Sequence, residues 1–182
     1  MPSRLQHRWC SAAYGVDNDA KCGAPSGAGD FPSMAQPLTI QIHASCVEVG
    51  GLGILLRGPS GSGKSDLALR LIEAGGRLVA DDRTDLALAD GGLIASSPHP
   101  IAGRLEVRGV GILELPSVER ARVGLVADLV AATDVDRLPE PRRCEYLGIH
   151  IPLIALAPFE CSAAAKLRLA AREAARGRLA AV

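Results

Sequence analysis

From Thr39 to Val49 the apolar residues Ile40, Ile42, Val47 and Val49 sit among polar ones, a spacing that predicts one or two half-buried strands. Residues 52–56, Leu-Gly-Ile-Leu-Leu, are apolar almost without interruption, as in a strand covered on both faces. After a glycine-rich turn, Leu67, Ala68, Leu71 and Ile72 recur at helical spacing until Gly75 and Gly76 stop the helix. Residues 77–80 predict the next strand, which delivers Asp81 and Asp82 at its carboxyl end. Two further apolar runs meet at Asp90-Gly91-Gly92, a hairpin signal. Residues 104–115 predict another strand, with glycines where backbone can approach a ligand, and residues 123–132 and 149–156 predict two more. An Ala- and Leu-rich helix is expected from about Cys161 to Leu179.

Residues 1–36 break this pattern. They are dense in Gly, Ala, Ser and Pro and keep neither a strand nor a helix period, which predicts a disordered extension ahead of one domain at 37–182. The strand-like alternation begins just after Met34, so Met34 is expected to be the natural start.

Composition then narrows the class. At 48% hydrophobic and 22% charged, the 182-residue chain suits a globular protein with a sizeable core. Twenty basic residues balance twenty acidic ones and only 3% are aromatic, which argues against nucleic acid as a partner, by charge or by stacking. Cys10, Cys22, Cys46, Cys144 and Cys161 are odd in number and never paired as CxxC, as expected of free thiols in a reducing compartment. No apolar run is long enough to span a membrane, and the N-terminus lacks a compact apolar run before a small-residue cleavage site, so no secretory signal and a cytoplasmic protein are expected.

Gly58-Pro59-Ser60-Gly61-Ser62-Gly63-Lys64-Ser65 satisfies G-x-x-x-x-G-K-[ST] between a buried strand and an amphipathic helix. Glycines let successive N–H groups turn inward onto phosphate oxygens, and the helix N-terminus adds partial positive charge. Lys64 is placed for the β- and γ-phosphates and the Ser65 hydroxyl for Mg²⁺, so ATP and Mg²⁺ are the expected ligands. Asp81 and Asp82 suit three roles on spacing alone: magnesium through water, proton transfer, or a solvated strand end.

Three blocks occur in order: the phosphate loop, Arg-Leu-Val-Ala-Asp-Asp at 77–82, and Leu-Glu-Val-Arg-Gly-Val-Gly-Ile at 105–112. Together they resemble the C-terminal catalytic domain of HPr kinase/phosphorylase, over roughly residues 38–180. That bacterial enzyme phosphorylates a serine of the phosphocarrier protein HPr and removes the phosphate again by phosphorolysis. The resemblance implies an α/β P-loop kinase domain of the HPr kinase/PEP carboxykinase type, with a central mixed sheet and flanking helices. It also implies an HPr-like phosphocarrier as substrate, a homo-oligomer (hexameric in the family), and a short form without the family's N-terminal domain.

Position by position, it implies that His43 is the active-site histidine, Lys64 the phosphate-binding lysine and Ser65 a magnesium ligand. Asp82 matches the proton acceptor in phosphorylation, Glu106 the other metal-associated carboxylate, and Arg137 a catalytic arginine. One departure stands out. Where long members carry an arginine in a proline-containing loop linked to dephosphorylation, this chain reads Ala157-Pro158-Phe159-Glu160. The resemblance therefore supports kinase activity more strongly than phosphorylase activity.

Read without the family, His43 is a strand histidine, Glu106 and Arg108 a solvated strand face, and the Arg168, Arg172 and Arg176 stripe a solvated helix face. Two other functions fit a phosphate loop: a small-molecule kinase with a closing lid, and a regulatory module that binds ATP without turning it over.

Overall fold

The structure, a computed structural model, describes residues 38–98 and 102–179; the expected N-terminal extension, Met34 included, lies outside the described residues. Along the chain run β1 (Thr39–Ile42), β2 (Ala44–Val49), β3 (Leu52–Arg57), α1 (Lys64–Glu73), β4 (Arg77–Ala80), β5 (Thr84–Ala89) and β6 (Gly92–Ser96). Then follow β7 (Arg104–Val107), β8 (Gly111–Glu114), β9 (Arg120–Leu129), β10 (Arg142–Tyr146), β11 (Ile149–Leu156) and α2 (Ala163–Ala175).

The long strand β9 organises a mixed nine-stranded sheet. On one edge it runs parallel to β3, Val126 opposite Leu55. Its other edge is shared: Arg120 to Arg122 pair antiparallel with β6, and Val126 to Leu129 pair parallel with β11. Beyond β3 the antiparallel strands β2 and then β4 complete that side. Two antiparallel steps leave β4 parallel to β3, so β3, β4, β9 and β11 end at one edge of the sheet. In open α/β sheets that carboxyl edge is where ligands bind.

Alternate residues of the strands feed two cores. Ile54, Leu56, Leu125 and Ala127 meet Leu67, Leu71 and Leu167 from the two helices, all fully buried. The opposite set, Cys46, Leu55, Val126 and Val79, meets Leu86, Leu93 and Ala95 of the β5–β6 hairpin instead. Among the described residues both helices thus contribute to the first core, and β5 and β6 close the second. Burial of each large aliphatic side chain in these cores contributes about 1.5–3 kcal/mol. Burial also pushes the Cys46 thiol well above its ordinary pKa, leaving it inert.

Three expectations change in detail. Residues 104–115 form a hairpin, β7 against β8, because Gly109 (φ 84°) and Gly111 (φ 120°) turn the chain where a single strand would have run on. β2 is buried along nearly its whole length, since it lies between β3 and β4. The last helix is shorter than expected, Ala163–Ala175. Its Arg168, Arg172 and Arg176 line a shallow open recess of about 370 Å³ with Val49 and Leu52.

Candidate active site

The phosphate loop leaves β3 at Arg57 and enters α1 at Lys64, as its motif demands. A Cβ on Gly58 would lie 2.5 Å from Ser62 Oγ, and one on Gly63 (φ 88°) would lie 3.0 Å from the Phe159 ring, so both positions require glycine. Lys64 is only 6% exposed, and its Nζ donates to the Gly58 and Pro59 carbonyls at 3.1 and 3.2 Å. No carboxylate pairs with it among the described residues. A buried ammonium held by neutral carbonyls alone favours an anion beside it. Ser62 Oγ, also shielded from solvent, has no hydrogen-bond partner among the described residues. The loop therefore holds an unneutralised charge and an unsatisfied hydroxyl, and both fit a bound phosphate.

Arg57 anchors the front of the loop. It grips Asp128 of β9 bidentately, Nε to Oδ1 at 2.7 Å and Nη2 to Oδ2 at 2.9 Å, and Nη1 donates to the Tyr146 hydroxyl at 2.9 Å. Burial works against the Arg57 charge, but the Asp128 hydrogen bonds and the Tyr146 interaction outweigh it and hold the guanidinium above its ordinary pKa. Neither Asp128 nor Tyr146 stands out in the sequence, because the β3–β9 pairing brings Asp128 to Arg57 and the β9–β11–β10 pairings bring Tyr146.

Register also builds the carboxylate cluster. Cys46 pairs with Ala80, so the residues before Cys46 run out beside those after Ala80. Ser45 Oγ donates to Asp81 Oδ1 at 2.7 Å, and Ser65 Oγ, on the first turn of α1, donates to the same carboxylate at 3.1 and 3.3 Å. One residue on, the chain reverses in a three-residue turn: the Arg83 N–H donates to the Asp81 carbonyl at 2.7 Å, with Asp82 at φ 62°. Such left-handed turns store strain in non-glycine residues and gather at functional sites. Here the turn carries the Asp82 carboxylate to His43, with Nε2 2.7 Å from Oδ1. The contact is a close approach rather than a well-aligned hydrogen bond, and His43 Nε2 has no other partner among the described residues.

The two adjacent aspartates are thus divided between two neighbours. Asp81, to which the sequence assigned no separate role, faces the phosphate-loop serine. Asp82 faces the histidine and remains open to solvent, its side chain 65% exposed. Glu106 on β7 and Arg137, in the segment between β9 and β10, are exposed and make no hydrogen bond or ion pair among the described residues. No three His, Cys, Asp or Glu side chains form a metal cage among the described residues. Mg²⁺ in phosphoryl-transfer sites is held by one or two carboxylates or hydroxyls plus substrate phosphates, so the Ser65–Asp81 oxygens fit it without a cage.

Comparison with known proteins places this geometry in a family. Residues 34–161 match the family model described as HPr Serine kinase C-terminal domain. The chain belongs to that family. It is 53% identical over 78 residues to an HPr kinase/phosphorylase of Clostridium tetani (strain Massachusetts / E88), covering 43% of this chain and 26% of that protein. An HPr kinase/phosphorylase of Clostridium botulinum (strain Eklund 17B / Type B) is 51% identical over 75 residues, covering 41% and 25%. The matched stretch spans about a quarter of the length of these curated relatives. The solved structure of the Hpr(Ser) kinase/phosphatase from Coxiella burnetii superposes with a TM-score of 0.63 at 30% identity, covering 76% of this chain and 89% of that one. The HPr kinase C-terminal domain thus accounts for the mixed sheet.

Proposed function

We propose that this protein is a Mg²⁺- and ATP-dependent serine kinase acting on an HPr-like phosphocarrier. One observation carries the reading: the aspartates ending β4 separate, one onto the phosphate-loop serine and one onto a histidine at the same sheet edge. A nucleotide-binding regulatory module needs only the first contact. A histidine-paired, solvent-open carboxylate beside the loop is what proton transfer from an incoming alcohol requires.

In this mechanism the backbone N–H groups of residues 60–65 and the Lys64 ammonium hold the phosphates of ATP. Ser65 and Asp81 would hold Mg²⁺, which would supply positive charge to offset that of the transferring phosphoryl group. The acceptor serine oxygen attacks the γ-phosphorus, its proton passes to the Asp82 carboxylate, and the bond to the bridging β,γ-oxygen breaks to release ADP. His43 fixes the orientation of that carboxylate. Glu106 and Arg137 enter as a second metal-associated carboxylate and a charge-neutralising arginine once substrate is bound, as the resemblance implies. In the reverse direction protonated Asp82 would act as the acid while inorganic phosphate attacks phosphoserine. Family membership supports the acceptor, since the relatives matched are named for HPr.

The test is transfer of label from γ-labelled ATP to a purified serine-bearing phosphocarrier, with and without added inorganic phosphate. Phosphocarrier labelled on serine is expected. Label appearing only in small metabolites would favour a small-molecule kinase, and tight ATP binding without any transfer would favour the regulatory module. Release of label as pyrophosphate on adding phosphate would add the phosphorylase activity.

A further inference from the structure

The segment after β11, where the family arginine is missing, is fastened to the phosphate-loop helix. Arg70 of α1 donates to the carbonyls of Pro158 and Glu160, the latter at 3.2 Å, and is itself held by Asp66 at 2.7 Å. Pro158 is buried beneath this clamp. Phe159 between the two anchored carbonyls is not: it is 71% exposed, yet its ring covers Gly63 so closely that a Cβ there would lie 3.0 and 3.1 Å from two ring carbons. A large apolar ring is thus held at the water boundary by a backbone that cannot carry it away. Among the described residues the one other Phe, Tyr or Trp is Tyr146, and it is engaged by Arg57.

We infer that Phe159 is the platform for the nucleotide base, a specificity residue of the site. This rests on the nucleotide reading proposed above. The loop amides hold the α- and β-phosphates and Lys64 reaches the β- and γ-phosphates, so the terminal phosphate points to Lys64 and the aspartates. The nucleoside then leaves from the opposite end of the phosphate chain. Arg70, from the last turn of α1, holds residues 158–160 so that Phe159 lies against Gly63 at the start of the helix and offers that end an exposed aromatic face. Stacking there covers apolar surface on both partners. A phenyl ring reads the face of a base and not its edge, so Phe159 itself selects nucleotides over bare polyphosphate without separating adenine from guanine.

The experiment compares ATP with inorganic tripolyphosphate, which carries the phosphates without a nucleoside, by calorimetry in the presence of Mg²⁺. Phe159→Ala should weaken ATP binding by about 5- to 150-fold, the worth of one stacked base, and leave tripolyphosphate within about twofold. Phe159→Leu, which keeps the apolar cover on Gly63 but has no π-face, should lose most of the same factor, and Phe159→Trp should regain it. Unchanged ATP affinity in Phe159→Ala overturns the assignment. Equal weakening of both ligands also overturns it, since the ring would then only shape the loop. So does a rise in KM for the phosphocarrier alone, which would put the ring on the acceptor side. Wild-type protein binding neither ligand would instead overturn the phosphate-loop reading itself.

Discussion

His43 Nε2 stands 2.7 Å from the Asp82 carboxylate, at the centre of a turn whose φ of 62° few non-glycine residues adopt. Asp and Asn tolerate this conformation better than other side chains. Asp82→Asn therefore keeps the turn while removing the proposed base. Phosphoryl transfer should fall about 10²- to 10⁴-fold, with the dissociation constant for ATP unchanged. His43→Gln should cost less, because it disturbs orientation and not the proton acceptor. Combining the two should be no worse than Asp82→Asn alone, since both act on one step. Additive losses in the double variant would show that His43 works independently of Asp82.

The neighbouring carboxylate calls for a different measurement. Asp81 accepts from Ser65 and Ser45 and touches no described histidine. Asp81→Asn should raise the Mg²⁺ concentration for half-maximal activity by about 10- to 100-fold, the usual cost of disturbing a metal's supporting partner. Activity at saturating Mg²⁺ should largely recover. A fall in activity that excess Mg²⁺ does not relieve would move Asp81 from metal support to chemistry.

What could be read from the chain in advance has a physical pattern. The loop, α1, β3, β4 and the β5–β6 hairpin follow from signals within a few residues of one another: glycines, an apolar run, a helical period, an Asp-Gly turn. β10 was not foreseen, because Arg142, Arg143 and Glu145 face solvent on an edge strand and leave no apolar alternation. The separate tasks of Asp81 and Asp82 were invisible for another reason. They depend on the Cys46–Ala80 register and on one strained turn, and nothing in an Asp-Asp pair announces either. Phe159 and Asp128 gain meaning only from the strand ends that bring them to the loop.

The Arg57–Asp128 pair joins the last residue of β3 to β9 just before the loop, with side chains 16% and 31% exposed. Asp128→Ala leaves a largely desolvated guanidinium without its bidentate acceptor. The cost should be about 2–3 kcal/mol, below that of a fully buried pair, or a fall in Tm of about 4–12 °C for a domain this size. Arg57 has a raised folded-state pKa, so its contribution is complete at neutral pH and is lost only in strong alkali. Unfolding between pH 6 and 9 should therefore show no step from this group. A Tm unchanged in Asp128→Ala would mean that water or Tyr146 replaces the carboxylate.

We propose that the chain forms a homo-oligomer, and the β7–β8 hairpin carries an apolar surface suited to one. Val110 is 67% exposed, Ile112 71% and Leu113 37%, on a hairpin that pairs with no other strand among the described residues. Adjacent exposed aliphatics of this kind mark association sites more often than isolated ones do. Ile112 makes little contact within the chain, so Ile112→Glu should leave the Tm within about 2 °C, as expected of a surface substitution. Burying the new charge against a second copy would be costly without a partner. Sedimentation velocity should then show an oligomer for the wild-type protein and smaller species for Ile112→Glu. The same oligomer in both would exclude the hairpin from the interface. Because Glu106 lies on the same hairpin, a variant that dissociates and also loses transfer activity would tie assembly to the completion of the site.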